Sequence, residues 1–180
     1  WNAHDTIWNS HPCYVGRPGT VGDRSGNFAV QNADLLLILG SRLNIRQVSY
    51  NWTSFAREAY KIWVDIDPNE LKKPSVTADL PIFADLADLI PALVNCSYDG
   101  PGEQHKKWLA WNKQRQQKYP VVLPEYFENK RVNPYCFMEA LFQQLPEDQV
   151  VVTGNGSACV VSFQVANLAK GQCLWTNSGC

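Results

Sequence analysis

Continuous runs of apolar residues, each the length of a β-strand, recur in the first half of the chain. The segments DLLLILG at 34–40 and KIWVDID at 61–67 are of this kind, which is typical of parallel strands buried on both faces. Between them, WTSFAREA at 52–59 has the spacing of a helix. We therefore predict a right-handed βαβ unit, in which a helix at 52–59 crosses from one strand to the next.

Helical spacing returns after the second strand. The segment FADLADLIPAL at 83–93 repeats apolar residues every three or four positions, and predicts a helix on one face of the sheet. Pro91 is expected to kink or end this helix. We predict an α/β fold, with a Rossmann-like parallel sheet flanked by helices, in a unit that covers residues 1–96 and is truncated at its amino end.

The composition changes between residues 97 and 131. SYDGPGEQ is typical of turns, HKKWLAWNKQRQQK at 105–118 is a polar, basic helix with Trp108 and Trp111 as its contact points, and YPVVLPEYFENKR is interrupted by prolines. We interpret residues 97–131 as a linker between two units.

A second α/β unit begins at residue 132. Asn133 is a favourable helix N-cap and Pro134 fits the first turn of the helix that follows. A buried strand is predicted at 149–153, then the turn GNGS, a helix at 158–168 and a further strand at 172–177. The residues expected on the buried side of the first helix are Phe137, Leu141 and Leu145.

The charge balance excludes some classes of partner. The chain has 180 residues, of which 16 are basic and 17 acidic, so it offers no field that attracts nucleic acid or an anionic membrane. Its apolar runs are too short to span a bilayer, and its six cysteines form no CxxC pair. We expect a soluble, cytoplasmic protein with reduced thiols. Because the chain begins at Trp1, we also expect it to be part of a longer protein.

Candidate binding residues follow the predicted strands, because ligands of open α/β sheets bind beyond the carboxyl ends of the strands. The glycine-rich loop GRPGTVGDRSGN at 16–27 allows close approach of a phosphate, although a plain surface loop is the alternative. The segment GSRLNIRQ at 40–47 presents Arg42, Asn44 and Arg46 to a nucleotide.

Two carboxylates in VDIDPNELKK are expected to have separate roles. Asp65 comes 25 residues after Gly40, close to the separation at which an acidic residue contacts a nucleotide ribose. Asp67, directly before Pro68, is expected to cap the helical turn that follows. A metal site is disfavoured, because no third ligand is at hand.

The turn in VVVTGNGS joins a strand to a helix N-terminus. Unpaired amides and the helix dipole make such a turn a seat for a diphosphate, and a plain turn is the alternative. The sequence contains no Walker lysine, GxSxG or HExxH motif. We interpret His4 and His11 as structural residues.

The order of these segments resembles a known family. HPCYVGRPGTVGDRSGNFAVQNADLLLILGSRL, FAREAYKIWVDIDPNEL and ADLPIFADLADLI resemble the central domain of thiamine diphosphate enzymes of the acetolactate synthase type. VNPYCFMEAL, VVVTGNGS and LWTNSGC resemble the opening of that family's carboxy-terminal domain, a second α/β three-layer domain. The resemblance implies that residues 132–180 begin the diphosphate-binding domain, while the catalytic glutamate and the magnesium ligands lie outside the chain.

The resemblance also implies a chemistry. The cofactors would be thiamine diphosphate and Mg²⁺, the substrate a 2-oxo acid such as pyruvate, and the reaction a decarboxylation or carboligation, that of a lyase or transferase. The full-length protein would be a homodimer or homotetramer with its active site between subunits, so this fragment alone is expected to be inactive. The residues placed against the diphosphate are Asn155, Gly156, Ser157 and Ala158.

FAD-binding relatives hold the flavin nucleotide with positions of the central domain. The residues at the matching positions are Gly40, Arg42, Asn44, Arg46, Asp65, Ile66, Asp79 and Leu80. The loop at 18–22 reads PGTVG where flavin relatives read LGMHG, and Asn44 replaces an aspartate, so FAD, ADP and an empty site all stay open. A non-catalytic Rossmann-like module that binds an adenine nucleotide is the alternative function. A sirtuin-like NAD-dependent enzyme is a third, which lacks support from zinc cysteines.

Overall fold

Two parallel sheets form the framework of the protein. A computed structural model describes residues 3–128 and 130–177. The first sheet contains β1 (Leu35–Leu39), β2 (Tyr60–Asp65) and β3 (Leu80–Phe83), in the order β1-β2-β3. The second sheet pairs β4 (Val150–Thr153) with β5 (Cys173–Thr176).

Helices flank both sheets, which confirms the predicted α/β class. They are α1 (Arg24–Gln31), α2 (Ile45–Val48), α3 (Leu86–Val94), α4 (Glu103–Lys118), α5 (Pro134–Gln144) and α6 (Ser157–Val165). Short 3-10 turns occupy Trp52–Ser54, Glu70–Lys72 and Pro124–Glu128. Among the described residues, no helix is both long and apolar enough to cross a lipid bilayer.

The main hydrophobic cluster of the first unit lies on one face of its sheet, while β2 is buried on the other face as well, at Val64. Ile38 and Trp63 are buried in this cluster together with Phe55. The other face of β1, which carries Leu35 and Leu37, is exposed. The prediction that this strand is buried on both faces is therefore wrong for the part of the chain that the structure describes, although the strand itself is confirmed.

The predicted crossover helix at 52–59 is not formed. Only a 3-10 turn at Trp52–Ser54 is present, and Ala56 has a φ of +43°, a value that ends a right-handed helix. This backbone buries both Phe55 and Ala56 in the core. The helix of the crossover is instead α2, which is capped by Asn44. The parallel pairing of β1 with β2 is confirmed.

The third strand was missed and the following helix was placed too early. Phe83 ends β3 rather than beginning a helix. The helix α3 begins three residues later, where the Asp85 carboxylate accepts a hydrogen bond of 2.8 Å from the Ala87 N–H. It continues past Pro91 to Val94, so Pro91 does not end the helix.

The start of α5 agrees with its prediction, while its predicted buried side is confirmed at Leu145 and wrong at Phe137. Asn133 Oδ1 accepts a hydrogen bond of 2.9 Å from the Tyr135 N–H, with Pro134 in the first turn. Phe142 is only 4% exposed, whereas Phe137 is 55% exposed. Apolar residues occur on several sides of this helix, so the sequence pattern alone does not determine which side is buried. Phe142 belongs to a buried cluster against which further apolar side chains pack; the other members and these side chains are Ala166, Leu168, Leu174, Met138, Leu145 and Val151.

The amino-terminal segment joins the two units. His4 Nε2 donates to the Leu174 carbonyl at 2.7 Å, and the Leu174 N–H donates to Asp5 Oδ2 at 2.9 Å. His4 is thus structural, as predicted. The segment 97–131, predicted to be a linker, also packs on the first unit. Its helix α4 contacts α1, and Lys113 Nζ donates a hydrogen bond of 2.5 Å to the Tyr14 carbonyl.

Candidate functional site

A cleft of about 570 Å³ opens at the carboxyl edge of the first sheet. Gly40 follows β1, Asp65 ends β2 and Ala84 follows β3, so the cleft lies where ligands of parallel sheets bind. We call it the carboxylate cleft. Its lining residues are Gly40, Arg42, Asp65, Ile66, Asp67, Glu70, Ala84, Asp85 and Leu86.

Asp65 is the most buried carboxylate in the lining of this cleft. The residue is 5% exposed, and its Oδ1 accepts a hydrogen bond of 2.9 Å from the Asp67 N–H. Its Oδ2 is also buried and has no hydrogen-bond partner among the described residues. Because an unpaired buried acceptor is costly, a ligand that donates a hydrogen bond at this point would stabilise the site.

Asp67 shapes the loop beyond β2. Its Oδ1 accepts a hydrogen bond of 2.8 Å from the Asn69 N–H, and its carbonyl accepts one of 3.2 Å from the Glu70 N–H. The prediction that Asp67 is the N-cap of the helical turn is therefore wrong, because Asn69 occupies the N-cap position of the 3-10 turn at Glu70–Lys72. Asp67 instead forms an Asx turn around Pro68. Asp67 also lines the carboxylate cleft together with Asp65.

Glu70 joins two cations at the mouth of the cleft. Its Oε1 lies 2.7 Å from Arg42 Nε, and its Oε2 lies 2.8 Å from Lys73 Nζ. The hydrogen bond from Lys73 is the main cause that lowers the pKa of the Glu70 carboxyl, and the bond from Arg42 adds to it. The hydrogen bond between Glu70 and Arg42 also raises the pKa of the Arg42 guanidinium. We call these three residues the Glu70 bridge.

Four of the predicted nucleotide-binding residues come together in the cleft. Gly40 directly follows β1 and has a φ of +58°, and a side chain at this position would meet Leu86 at 3.0 Å, so glycine keeps this wall open. Glu70 and Asp85 also line the cleft and were not predicted. The predicted residues in the lining are Gly40, Arg42, Asp65 and Ile66.

The other predicted nucleotide-binding residues lie outside the lining of the cleft. Asn44 Oδ1 caps α2 by accepting a hydrogen bond of 3.0 Å from the Arg46 N–H. Asp79 and Leu80 lie at the amino end of β3, where Asp79 Oδ2 accepts a bond of 2.7 Å from the Lys61 N–H. Their role in binding stays a prediction.

Buried side chains of the glycine-rich loop at 16–27 form hydrogen bonds within the fold. Asp23 is buried and caps α1, accepting hydrogen bonds from the Gly26 N–H and the Arg17 N–H, both at 2.6 Å. Arg17 is buried as well and donates to the Phe163 carbonyl at 3.1 Å. Arg17 is thus used within the fold, and the loop does not present it to a phosphate.

A second candidate site lies where β4 leads into α6. No side chain among the described residues caps α6, so its first amides are unpaired. Gly156 has a φ of +73°, and apart from the chain neighbours no heavy atom of the described residues lies within 4 Å of the position of a side chain at Gly154 or Gly156. Asn155 Oδ1 accepts a hydrogen bond of 2.8 Å from the Gly156 N–H. The turn is therefore open above the helix N-terminus.

Two threonines lie at the carboxyl ends of β4 and β5, the sheet that leads into this turn. Thr153 ends β4 and pairs in register with Thr176, which ends β5. The Oγ1 atoms of both are buried without a hydrogen-bond partner in the described part of the chain. Unpaired amides, a helix dipole and two free hydroxyls suit an oxyanion such as a diphosphate. No sequence pattern pointed to either threonine. We call the two threonines and the turn the α6 site.

Neither site provides a recognisable metal centre. Within residues 3–128 and 130–177, no group of three or more His, Cys, Asp or Glu side chains could hold a metal ion. The described cysteines are free thiols, namely Cys13, Cys96, Cys136, Cys159 and Cys173. Cys180 lies outside the described residues.

Comparison with known proteins agrees with the fold. Residues 1–93 match the family described as thiamine pyrophosphate enzyme, central domain. The chain is 33% identical over 180 residues to an acetolactate synthase of Mycobacterium avium, and 28% identical over 179 residues to an acetolactate synthase large subunit of Corynebacterium glutamicum. It is 33% identical over 141 residues to a probable acetolactate synthase large subunit of Methanocaldococcus jannaschii.

These alignments cover most of the chain but only part of each relative. They span 98%, 98% and 76% of this chain, and 28%, 28% and 22% of the respective relatives. Fold and site define an α/β protein with candidate binding positions at the carboxyl edges of two parallel sheets. Since the family match covers more than half of the 180 residues, the chain belongs to the thiamine pyrophosphate enzymes.

Proposed function

We propose that the protein is a thiamine diphosphate-dependent enzyme of the acetolactate synthase type, which acts on a 2-oxo acid such as pyruvate. The observation that carries this proposal is the α6 site, where an uncapped helix N-terminus lies beside the unpartnered hydroxyls of Thr153 and Thr176. The names of the relatives, which are acetolactate synthases, support the same reaction class.

The α6 site fits the diphosphate of this cofactor. Its amides and hydroxyls are hydrogen-bond donors, and the helix dipole favours a negative charge at this end. The residues that would hold the diphosphate are Thr153, Asn155, Gly156, Ser157, Ala158 and Thr176.

These residues would anchor and orient the cofactor. When bound, thiamine diphosphate supplies an electron sink for the carbanion that decarboxylation of a 2-oxo acid generates. The backbone amides of Ser157 and Ala158 and the hydroxyls of Thr153 and Thr176 would donate hydrogen bonds to the diphosphate. Mg²⁺ is part of the proposal, with ligands outside the described residues.

The carboxylate cleft favours a second binding function. We propose that it holds the ribose of an adenine nucleotide, FAD or ADP, because Asp65 Oδ2 needs a donor and a ribose hydroxyl provides one. This function would also suit a non-catalytic module, which stays the alternative for the first unit. The α6 site is the feature that such a module would not need.

We also propose an assembly and a location for the full-length protein. A homodimer or homotetramer is supported by the exposed apolar face of β1, which carries Leu35 and Leu37, and we place this assembly in the cytoplasm. The domain division at residues 96 and 132 belongs to the same proposal.

Isothermal titration calorimetry tests the proposed function. Thiamine diphosphate is titrated into the full-length protein in the presence of Mg²⁺, and the product formed from pyruvate is then measured in the same preparation. We expect saturable binding of the cofactor and pyruvate turnover that depends on it. Absence of cofactor binding by the folded protein would overturn the proposal.

A further inference from the structure

We infer that Glu70 makes the carboxylate cleft selective for a ribose with a free 2′-hydroxyl, and that it excludes a ribose carrying a 2′-phosphate. Glu70 would do so by holding Arg42 and Lys73 in the Glu70 bridge, where a phosphate cannot use them. The inference rests on the proposed nucleotide-binding function of the cleft and adds the residue that determines its specificity.

The geometry of the bridge shows that Glu70 is the inner partner. Its side chain is 11% exposed, while that of Arg42 is 73% exposed. The Arg42 Nε and the Lys73 Nζ approach different oxygens of the same carboxylate. Lys73 Nζ also donates to the Arg42 carbonyl, so the bridge ties the loop after β1 to the loop after β2. The lowered pKa of Glu70 keeps this carboxylate ionised at neutral pH.

The charge of the lining opposes an anion. A phosphate in the cleft would face four carboxylates and a single guanidinium, which is already paired with one of them. Like charges brought together discriminate strongly against a ligand. The four carboxylates are those of Asp65, Asp67, Glu70 and Asp85.

The hydrogen-bonding capacity of the cleft favours a hydroxyl. Asp65 Oδ2 is a buried acceptor without a donor in the described part of the chain. A ribose hydroxyl can donate to it, whereas an ionised phosphate offers only acceptors. In nucleotide-binding folds of this kind, an acidic residue selects the 2′-hydroxyl and a nearby arginine accommodates the 2′-phosphate. Both residue types are present here, and Glu70 neutralises the arginine.

The substitution Glu70→Gln would reverse this arrangement. The glutamine keeps an oxygen that can accept from Arg42, but it removes the negative charge from the bridge. Lys73 Nζ keeps its hydrogen bonds to the Arg42 and Leu43 carbonyls and therefore stays at the mouth of the cleft. Two cations that are no longer paired with Glu70 would then be available to a phosphate.

The experiment compares two probes on the full-length protein by isothermal titration calorimetry. Adenosine and adenosine 2′-monophosphate are titrated into the wild type, Glu70→Gln and the matched control Glu58→Gln. Glu58 is exposed and pairs with Arg57 at 3.4 Å, before the amino end of β2. We expect the wild type and the control to bind adenosine at least about tenfold more tightly, which corresponds to about 1.4 kcal/mol. In Glu70→Gln this preference should disappear or reverse.

Two results would overturn the inference. One is a wild type that binds the 2′-phosphate as tightly as adenosine, or binds neither probe, and this result does not depend on any variant. The other is a folded Glu70→Gln protein with the wild-type preference. Thiamine diphosphate is titrated into the same samples, so failure of the cleft is distinguished from failure of the α6 site. Asp65→Asn should weaken adenosine binding while leaving thiamine diphosphate binding unchanged.

Discussion

The Arg17 guanidinium donates a hydrogen bond of 3.1 Å to the carbonyl oxygen of Phe163, although the two residues are 146 positions apart. The same guanidinium donates to Asn9 Oδ1 at 2.9 Å. A single buried side chain of the glycine-rich loop thus connects the amino-terminal segment to α6, the helix whose N-terminus forms the α6 site. The packing of the first unit is in this way linked to the position of the proposed cofactor site.

Loss of this connection should destabilise the protein. Arg17→Met fills a similar volume but removes the buried hydrogen bonds from the guanidinium to the Phe163 carbonyl and to Asn9, so we expect the free energy of unfolding to fall by about 2–4 kcal/mol. Urea denaturation of the full-length protein measures the change. Arg57→Met is the control, because Arg57 is exposed and its ion pair with Glu58 should contribute little. Equal stabilities of the two variants would contradict the role of Arg17.

The orientation of α5 can be tested with two phenylalanines of the same helix. Phe142→Ala should lower the free energy of unfolding by about 3 kcal/mol, because it creates a cavity beside Leu168 and Leu174. Phe137→Ala should cost less than about 1 kcal/mol, since this side chain is exposed. The two variants are compared by urea denaturation. A larger loss at Phe137 would favour the orientation that the sequence predicted.

The Glu70 bridge should give stability that depends on pH. The folded-state pKa of Glu70 lies below its ordinary value of 4.5, so its contribution is present above about pH 4.5 and is lost as the pH falls through the lowered pKa. We therefore expect the wild type to be more stable than Glu70→Gln at pH 7, and this difference to shrink under acid conditions. Thermal unfolding from pH 7 to pH 3 measures it. A difference that grows as the pH falls would contradict the bridge.

The sequence predicted those parts of the fold that depend on local patterns. The strands β1 and β2 could be predicted because a long apolar run suits a buried strand. The crossover was wrong, because burial of Phe55 and Ala56 overrides the helical spacing of 52–59. The strand β3 was missed, because it is short and contains Pro81, a residue that is unfavourable in most strands.

The residues of the two candidate sites could likewise be predicted only where they depend on local sequence patterns. Asp65 could be predicted, because its separation from Gly40 is typical of a nucleotide-binding unit. Glu70 was missed, because its partner Arg42 lies 28 positions away and only the parallel pairing of β1 with β2 brings them together. Thr153 and Thr176 were missed for a similar reason, since their hydroxyls become neighbours only through the register of β4 and β5.

The two threonines also provide a variant of the cofactor site. Thr153→Val keeps the shape of the side chain but removes one donor, so we expect thiamine diphosphate to bind about 5- to 30-fold more weakly, the effect of losing 1–2 kcal/mol. Thr53→Val is the matched control, because the Thr53 hydroxyl is exposed and bonds to Asn51. Equal affinities of the two variants would remove Thr153 from the site.

The most direct test of the central claim is calorimetric titration of thiamine diphosphate into the wild-type, full-length protein with Mg²⁺ present. The α6 site predicts saturable binding, with one cofactor per chain, that is weakened in Thr153→Val and unchanged in Thr53→Val. A folded protein that binds no thiamine diphosphate under these conditions would contradict the proposal and leave the chain as a nucleotide-binding module.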